Sequence, residues 1–131
     1  MFTMCYTRSS ITDISLFRKS ELRDEGGNKM GKIMAVNISE KKGTQKKNVH
    51  SARLMEEFGI EKDAHAGKWH RQVSLLSYEK IEEFKAKGAP IEDGAFGENL
   101  IVSGYDLKAL PVGTRLRSGE VLLEVTQIGK K

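Results

Sequence analysis

Short apolar segments, each next to a glycine-marked turn, are the feature that most constrains how this chain can fold. These segments are residues 33–38, 73–76, 100–102, 114–117 and 120–128. One helical pattern lies among them at residues 78–87, with Ser77 as its N-cap, Gly88 just beyond its end and Pro90 preventing continuation. Short strands without repeated βαβ units favour an antiparallel barrel or sandwich. We therefore predict a mostly β fold with one or two short helices.

Periodicity in the first strand and in the helix predicts which side chains face the core. Alternate positions of the strand and every third position of the helix are apolar. The predicted core-facing residues are Met34, Val36 and Ile38 in the strand and Tyr78, Ile81 and Phe84 in the helix. Residues 49–58 fit a helical and a strand spacing equally well, so both alternatives stay open there.

The first thirty residues differ from the remainder of the chain. Their weak amphipathic pattern is followed by charged residues and then by a linker-like segment at residues 25–29, with Gly26 and Gly27 at its centre. A new apolar pattern begins at Met30, which would also serve as an alternative start. We predict an extension over residues 1–30, poorly ordered or loosely docked, and a barrel domain over residues 31–131.

Charge and cysteine content narrow the class of protein. The chain has 131 residues, a net charge of +4 and a pI near 9.2, which suit one domain and an anionic ligand or nucleic acid without requiring either. The single cysteine, Cys5, excludes a disulfide within the chain and a Cys-rich zinc or iron–sulfur site. A reducing, cytoplasmic setting fits this content, and no apolar run has the length of a membrane span.

A polar segment at residues 63–71 holds the densest group of reactive side chains. Its members are Asp63, His65, Trp69, His70 and Arg71. Both histidines can act as proton donor, acceptor, anion partner or metal ligand near neutral pH. The alternative is structural, with Asp63 and His70 hydrogen-bonded to each other to fix the loop while Trp69 fills a core position.

A second polar turn, at residues 93–99, ends in Glu98 and Asn99 directly before a strand. Its glycines, Gly94 and Gly97, allow the backbone to approach a ligand closely. Glu98 supplies an acceptor and Asn99 both an acceptor and a donor, although both side chains could instead satisfy backbone groups at a bulge. Because each polar segment runs directly into a strand, we expect the two segments side by side at one rim of the barrel.

Other charged patterns give weaker functional hypotheses. Four lysines surround Gly43 in residues 41–47, which indicates a solvated hairpin tip or, alternatively, a cationic flap over a phosphate or nucleic acid. The spacing of Asp63, His65 and His70 also suits a divalent-metal site. A small barrel that binds nucleic acid is a further alternative. The aromatic residues do not interleave with the basic ones, so we expect no nucleic-acid partner.

Eight short motifs follow one another in order along residues 31–131. They are Gly31-Lys32-Ile33, Lys42-Gly43-Thr44, Gly59-Ile60, Asp63-Ala64-His65-Ala66-Gly67, His70-Arg71-Gln72-Val73-Ser74-Leu75-Leu76, Gly97-Glu98-Asn99-Leu100, Leu110-Pro111-Val112-Gly113 and Val125-Thr126-Gln127-Ile128-Gly129. With these motifs the chain resembles a MOSC domain, the module at the C-terminus of molybdenum-cofactor sulfurases that also occurs as small stand-alone bacterial proteins.

This resemblance implies a β-barrel of the pyruvate-kinase type that acts in molybdenum-cofactor or metal–sulfur chemistry. The residues that would line its cofactor-binding mouth are Asp63, His65, His70, Arg71, Glu98 and Asn99. Arg71 would bind the phosphate of molybdopterin. His65 or His70 would shuttle a proton, oriented by Asp63. The resemblance also implies sulfur transferase or molybdenum-dependent reductase activity, with a pyridoxal-phosphate enzyme of the cysteine-desulfurase type or a molybdoenzyme as partner.

The chain departs from the family pattern at two points. Lys62 stands where similar domains usually have glycine, which would alter the turn before Asp63. Similar domains also continue past Gly129 into a cysteine that carries sulfur or binds molybdenum, and this sequence ends before it. We therefore expect a barrel incomplete at its C-terminus, without its own sulfur-carrier thiol, and with an open sheet edge that permits a homodimer. Cys5 lies in the extension and is not expected to replace that thiol.

Overall fold

The computed structural model describes residues 3–7, 14–17, 19–25, 29–39, 46–49, 51–55, 59–60, 63, 66, 73–92, 94, 98–118 and 121–128. The strands in these ranges are β1 (Thr3–Thr7), β2 (Ile14–Phe17), β3 (Glu21–Asp24), β4 (Met30–Ile38), β5 (Lys47–Val49), β6 (Ser51–Met55), β7 (Gly59–Ile60), β8 (Val73–Ser77), β9 (Leu100–Ser103), β10 (Arg115–Ser118) and β11 (Val121–Ile128). The helices are α1 (Tyr78–Ala86) and a 3₁₀ helix (Leu107–Ala109). In the ambiguous segment 49–58 the strand alternative, β6, is the observed one.

Eight strands form one sheet in the order β3-β10-β11-β1-β8-β9-β4-β5. A further pairing of β3 with β4 joins distant members of this order, so the sheet curls round on itself. A second, three-stranded sheet has the order β2-β6-β7. Every described pairing except that of β8 with β9 is antiparallel. The prediction of a mostly β fold of barrel type is confirmed.

Strands from the first thirty residues take part in both sheets. β1 pairs with β11 on one side and with β8 on the other, and β3 pairs with β4 and β10. β2 pairs with β6 in the smaller sheet. The predicted division of the chain at residue 30 stays a prediction, which deletion of the first strands would test.

Helix α1 connects two parallel neighbours, β8 and β9, whose register pairs Leu75 with Leu100. The helix begins where the sequence predicts, because the Ser77 side chain accepts a hydrogen bond from the backbone N–H of Lys80 at 3.3 Å. Gly88 follows its end with φ +95°, a conformation that favours glycine. Parallel pairing places the starts of β8 and β9 at the same end of the sheet.

Apolar side chains pack into two clusters. The larger cluster contains Leu22, Ile33, Val36, Ile60, Val73, Leu75, Leu100, Val102, Tyr105, Leu107, Leu116, Val121, Leu123 and Val125. The smaller one contains Ala35, Leu76, Ile81 and Ile101. Successive strand residues point to opposite faces, and Leu75 and Leu76 belong to different clusters, so the clusters lie on opposite faces of the sheet. Helix α1 therefore packs through Ile81 on the face away from the larger core.

Strand β4 departs from simple alternation. Its register with β9 shifts between Ile33 and Ala35, and a bulge changes which side chains share a face. Val36 and Ile38 pack with the larger cluster, whereas Met34 packs against the smaller one. The prediction that Met34 shares a face with Val36 and Ile38 was wrong for this reason.

The predicted inward stripe of α1 is confirmed in part. Ile81 is buried, and Tyr78 packs against the smaller cluster. Phe84, however, is 38% exposed, so its predicted place in the core was wrong. Phe84 lies almost one turn beyond Ile81, where it lines a groove instead of covering the sheet.

Tyr105 connects β9 to the region around β3 and β4. Its hydroxyl oxygen lies 2.8 Å from the backbone carbonyl oxygens of both Leu22 and Lys29, and its single proton can be donated to one of them at a time. The ring approaches closely because Gly31 has no side chain; a Cβ there would lie 2.6 Å from a ring carbon. Burial raises the pKa of Tyr105 above its usual value of 10.0.

Candidate functional site

The parallel pair β8 and β9 brings the described parts of the two polar segments to one rim. One segment precedes β8 and the other precedes β9, and these strands run side by side in the same direction. Buried polar residues gather where the two strands begin. We call them the rim cluster: Asn37, Lys46, Asp63, Ser74, Glu98 and Asn99.

Asp63 is held at the rim by a buried ion pair. Nζ of Lys46 donates to Oδ1 of Asp63 at 2.6 Å, with the two side chains 1% and 0% exposed. The backbone N–H of Ser39 donates to the same oxygen at 3.2 Å. Together these contacts compensate for the removal of both charges from water.

The position of Lys46 contradicts part of the prediction of a solvated hairpin tip at residues 41–47. Lys47 is exposed, as a hairpin tip predicts, but Lys46 is buried and paired with Asp63. Residues 41–45 lie outside the described residues. The solvated-tip hypothesis therefore fails at Lys46, because an ammonium group is buried only where a partner neutralises it.

Gly94 joins the second polar turn to Lys46. Its φ is +83°, and a Cβ at this position would lie 1.8 Å from the backbone oxygen of Lys46. The Gly94 N–H also donates to Oε2 of Glu98 at 2.8 Å. Gly94 thus bonds to Glu98 and packs against Lys46, which in turn holds Asp63.

Asn99 connects three neighbouring strands. Its Oδ1 accepts hydrogen bonds from the backbone N–H of Ser74 at 3.0 Å and from the Ser74 hydroxyl at 3.2 Å. Its Nδ2 donates to the backbone oxygen of Asn37 at 3.0 Å. Asn99 therefore links β8 to β4 across the start of β9, as in the structural alternative considered for this residue.

Asn37 and Glu98 meet within the rim cluster. Nδ2 of Asn37 lies 3.4 Å from Oε2 of Glu98, and both residues are fully buried. Oδ1 of Asn37 is buried and has no hydrogen-bond donor within reach in the part of the chain described. A buried acceptor without a donor needs an explanation, such as an ordered water or a ligand that donates to it.

The structure places half of the predicted ligand-binding residues. Asp63, Glu98 and Asn99 lie together in the rim cluster. The remaining three, His65, His70 and Arg71, lie outside the described residues, and so does Trp69. The ligand-binding roles of all six predicted residues stay predictions.

Cys5 lies close to this rim in the strand register. The backbone of β1 pairs Cys5 with Val73 of β8 and with Val125 of β11. Val73 directly precedes Ser74 of the rim cluster. The sequence pattern assigns Cys5 to an extension, and the prediction that it does not replace a sulfur-carrier thiol stays a prediction.

Besides Ser74, which the sequence indicates only as part of a strand, sequence reasoning missed two members of the cluster. Asn37 is the polar residue in the otherwise apolar segment 33–38, and that interruption was a usable signal. Lys46 gave no signal that separates it from the neighbouring Lys47. Both make their key contacts with residues far away in the sequence, Glu98 and Asp63 respectively.

The described residues bear on the metal and membrane hypotheses. Among the described side chains, no group of three or more His, Cys, Asp or Glu is placed to hold a metal ion. His65 and His70 lie outside that set, so the divalent-metal alternative stays a prediction. None of the described helices is long and apolar enough to cross a membrane.

Comparison with known protein families gives a match to part of the chain. The MOSC domain matches residues 62–128, which are 67 of the 131 residues. Comparison with curated proteins and with solved structures gave no match. The matched span starts just before Asp63 and ends with β11, so it includes both polar segments and the strands that follow them. The chain therefore belongs to the MOSC domain family.

Proposed function

We propose that the chain binds molybdenum cofactor, or a related anionic metal–sulfur ligand, at the rim where β8 and β9 begin. The MOSC family is associated with functions of the molybdenum-cofactor sulfurase type. The observation that carries the proposal is the rim cluster, in which Asp63, Glu98 and Asn99 from the two polar segments are buried in one group with Asn37. Oδ1 of Asn37 has no hydrogen-bond donor among the described residues. Ligands are commonly held by a few polar groups placed at such a convergence.

Two described side chains support the pterin part of this proposal. A pterin carries amino and ring N–H donors, and the acceptors that would receive them are the Glu98 carboxylate and Oδ1 of Asn37. Lys46 is committed to Asp63 and does not supply a free cation for the phosphate. We assign that role to Arg71, because a guanidinium group matches phosphate geometry.

The remaining roles follow from the residues of the first polar segment. His65 or His70 would hold or move a proton, and Asp63 would orient the imidazole. The bound group would supply molybdenum–sulfur chemistry. Loss of binding on replacement of His70 by Ala is expected, and unchanged binding would remove His70 from the site.

We further propose the partners that this function needs. A pyridoxal-phosphate enzyme of the cysteine-desulfurase type would donate sulfur, or a molybdoenzyme would receive the ligand, in the cytoplasm. A homodimer would use an edge strand; β5 supports this choice because it ends the sheet order among the described strands. Sedimentation velocity of the purified protein tests for the dimer.

Direct binding of molybdopterin tests the proposed function. The titration is done anaerobically with molybdopterin released from a purified molybdoenzyme and is followed by quenching of Trp69 fluorescence. We expect binding by the wild type and at least tenfold weaker binding by Glu98→Gln, which removes the charge at nearly constant volume. Glu92→Gln is the matched control, because Glu92 is exposed and outside the rim cluster.

The outcomes separate the function from its assigned residue. Absence of molybdopterin binding by the folded wild-type protein would overturn the proposed function. Equal binding by the wild type and by Glu98→Gln would support the proposed function but show that Glu98 is not part of the binding site. Circular dichroism of each variant establishes that the fold is intact.

A further inference from the structure

A groove with an apolar floor and a lysine rim lies between α1 and the 3₁₀ helix. The floor is formed by Leu76, Phe84 and Leu107, and the rim by Lys80, Lys87 and Lys108; we call this surface the α1 groove. Its volume is about 340 Å³. Ser77 also borders it, three residues along β8 from Ser74, so the groove lies roughly 10 Å along the strand from the rim cluster.

A second cavity of about 460 Å³ continues the α1 groove. The two cavities share four lining residues, including Lys80 and Lys108, and the second one extends to Lys29 and Tyr105. The result is an elongated surface with an apolar end and a polar end. Most of its lining side chains are exposed, so the surface is open along its length.

Lysines on this surface outnumber the acids available to pair with them. Those that form no ion pair with a described residue are Lys29, Lys87 and Lys108. Of the acids, Glu83 lies 3.8 Å from Lys80, and Glu79 accepts a hydrogen bond from the backbone N–H of Gly104 at 3.1 Å. Asp106 is the remaining acid, which leaves an excess of positive charge.

Phe84 gives the α1 groove an apolar anchor point. The sequence pattern predicts a core position for it, yet the side chain is 38% exposed at the groove while Leu76 and Leu107 beneath are buried. Exposed aromatic residues beside a buried apolar floor are typical of sites where a partner inserts a side chain.

We propose that the α1 groove docks an extended acidic segment of a partner protein, which inserts one large apolar side chain beside Phe84. The lysines that form no ion pair with a described residue select acidic residues, and the floor selects the apolar side chain. A small molecule would be enclosed on most sides by its site, whereas this open and elongated surface covers one side of an extended chain. The surface is small compared with stable protein interfaces, so the affinity is expected to be micromolar.

A synthetic peptide tests the proposal. The probe is a blocked peptide with three acidic residues on each side of a single phenylalanine, titrated into ¹⁵N-labelled full-length protein. We expect amide shifts at Phe84, Gly104 and Leu107 that weaken as salt is added. A peptide with serine in place of phenylalanine, and one with lysines in place of the acids, are each expected to bind at least tenfold more weakly.

Variants of exposed residues separate docking from folding. We expect binding of the acidic peptide to be at least tenfold weaker in the double variant Lys87→Glu and Lys108→Glu. The same loss is expected in the single variant Phe84→Ser. Lys85→Glu is the matched control, because Lys85 lies on the same helix but does not line the groove and pairs with Glu82.

Several results would overturn the proposal. These are an equal loss in Lys85→Glu, equal binding of the basic peptide, or no shifts at the groove with the acidic peptide. Shifts at the groove produced only by dodecanoate or by a mononucleotide would assign it to a small molecule instead. Shifts that depend on protein concentration without any peptide would assign it to a second copy of this chain. None of these results bears on molybdopterin binding at the rim cluster.

Discussion

Lys46 and Asp63 form a buried ion pair at the rim, with Nζ 2.6 Å from Oδ1. This contact joins the lysine segment to the start of the first polar segment, 17 residues later. The two charges compensate for each other, so each is costly once the other is removed. The pair therefore fixes the position of Asp63, the residue proposed to orient a histidine.

Replacement of Lys46 by methionine is expected to lower the free energy of unfolding by about 3–5 kcal/mol, because it leaves the Asp63 carboxylate buried without its cation. Urea unfolding measures this change. Lys47→Met is the matched control, since Lys47 is exposed, and its effect should stay within about 0.5 kcal/mol. Equal effects at the two positions would show that the pair contributes nothing specific.

A second replacement tests the origin of that loss. The double variant Lys46→Met and Asp63→Leu removes both charges, so it is expected to be more stable than Lys46→Met alone. A double variant less stable than the single one would indicate that Asp63 has other contacts that matter more.

Gly94→Ala is expected to destabilise the protein by about 2–4 kcal/mol, because it adds both backbone strain and a clash with the Lys46 carbonyl. Gly88→Ala isolates the strain, since Gly88 also has a positive φ, but a Cβ added there would meet no atom within 4 Å. We expect a cost of about 1–2 kcal/mol there. Thermal unfolding compares the two variants, and similar losses would argue against close packing of the turn on Lys46.

Local signals explain which parts of the fold were predictable. The alternation of Val121, Leu123 and Val125 and the capping of α1 by Ser77 depend on neighbouring residues, and the structure has both. Met34 and Phe84 were misplaced because a bulge and the position of the helix on the sheet decide their burial. Neither the bulge nor the position of the helix can be predicted from the sequence pattern.

In the candidate site, too, the sequence predicts the residues with local signals and misses those that depend on distant partners. Asp63, Glu98 and Asn99 stand in polar, glycine-rich segments before apolar strands, so the sequence indicates them. Lys46 and Asn37 take their roles from partners 17 and 61 residues away. The antiparallel pairing of β4 with β9 brings Asn37 to Glu98. Single-sequence patterns do not carry such long-range pairings.

Because of Tyr105, we expect the folded protein to lose stability in alkali. Burial raises its pKa in the folded state above 10.0, so its contribution is fully present below pH 10. As the pH rises from 10 towards the folded-state pKa, the unfolded chain loses the phenolic proton first, and the free energy of unfolding falls. Unfolding midpoints between about pH 8 and pH 11 measure this fall.

Comparison with Tyr105→Phe separates this effect from the titration of lysines. The variant is expected to lose less stability between the two ends of that pH range than the wild type does. Tyr78→Phe is the control and should keep the steeper wild-type dependence. Parallel curves for the wild type and Tyr105→Phe would contradict the assignment.

Asn99→Ala is expected to lower the free energy of unfolding by about 2–4 kcal/mol, because it leaves the Ser74 N–H and the Asn37 carbonyl buried without one of their partners. Urea unfolding measures the loss, and faster hydrogen exchange at Ser74 would locate it. Ser74→Ala removes the hydroxyl that bonds Asn99, so the two changes together should cost less than their sum. Strict additivity would show that the two side chains act independently.

Deletion of residues 1–29 tests the predicted boundary at residue 30, since the shortened chain begins at Met30. The deletion removes β1, which pairs with both β8 and β11, and β3, which pairs with β4 and β10. Strand edges without partners promote association, so we expect the shortened protein to aggregate or to unfold without cooperativity. Size-exclusion chromatography and thermal melting measure this, and a synthetic peptide of residues 1–9 should restore some cooperativity by replacing β1. A monomer of residues 30–131 that melts cooperatively without the peptide would instead show that residues 1–29 are a dispensable extension.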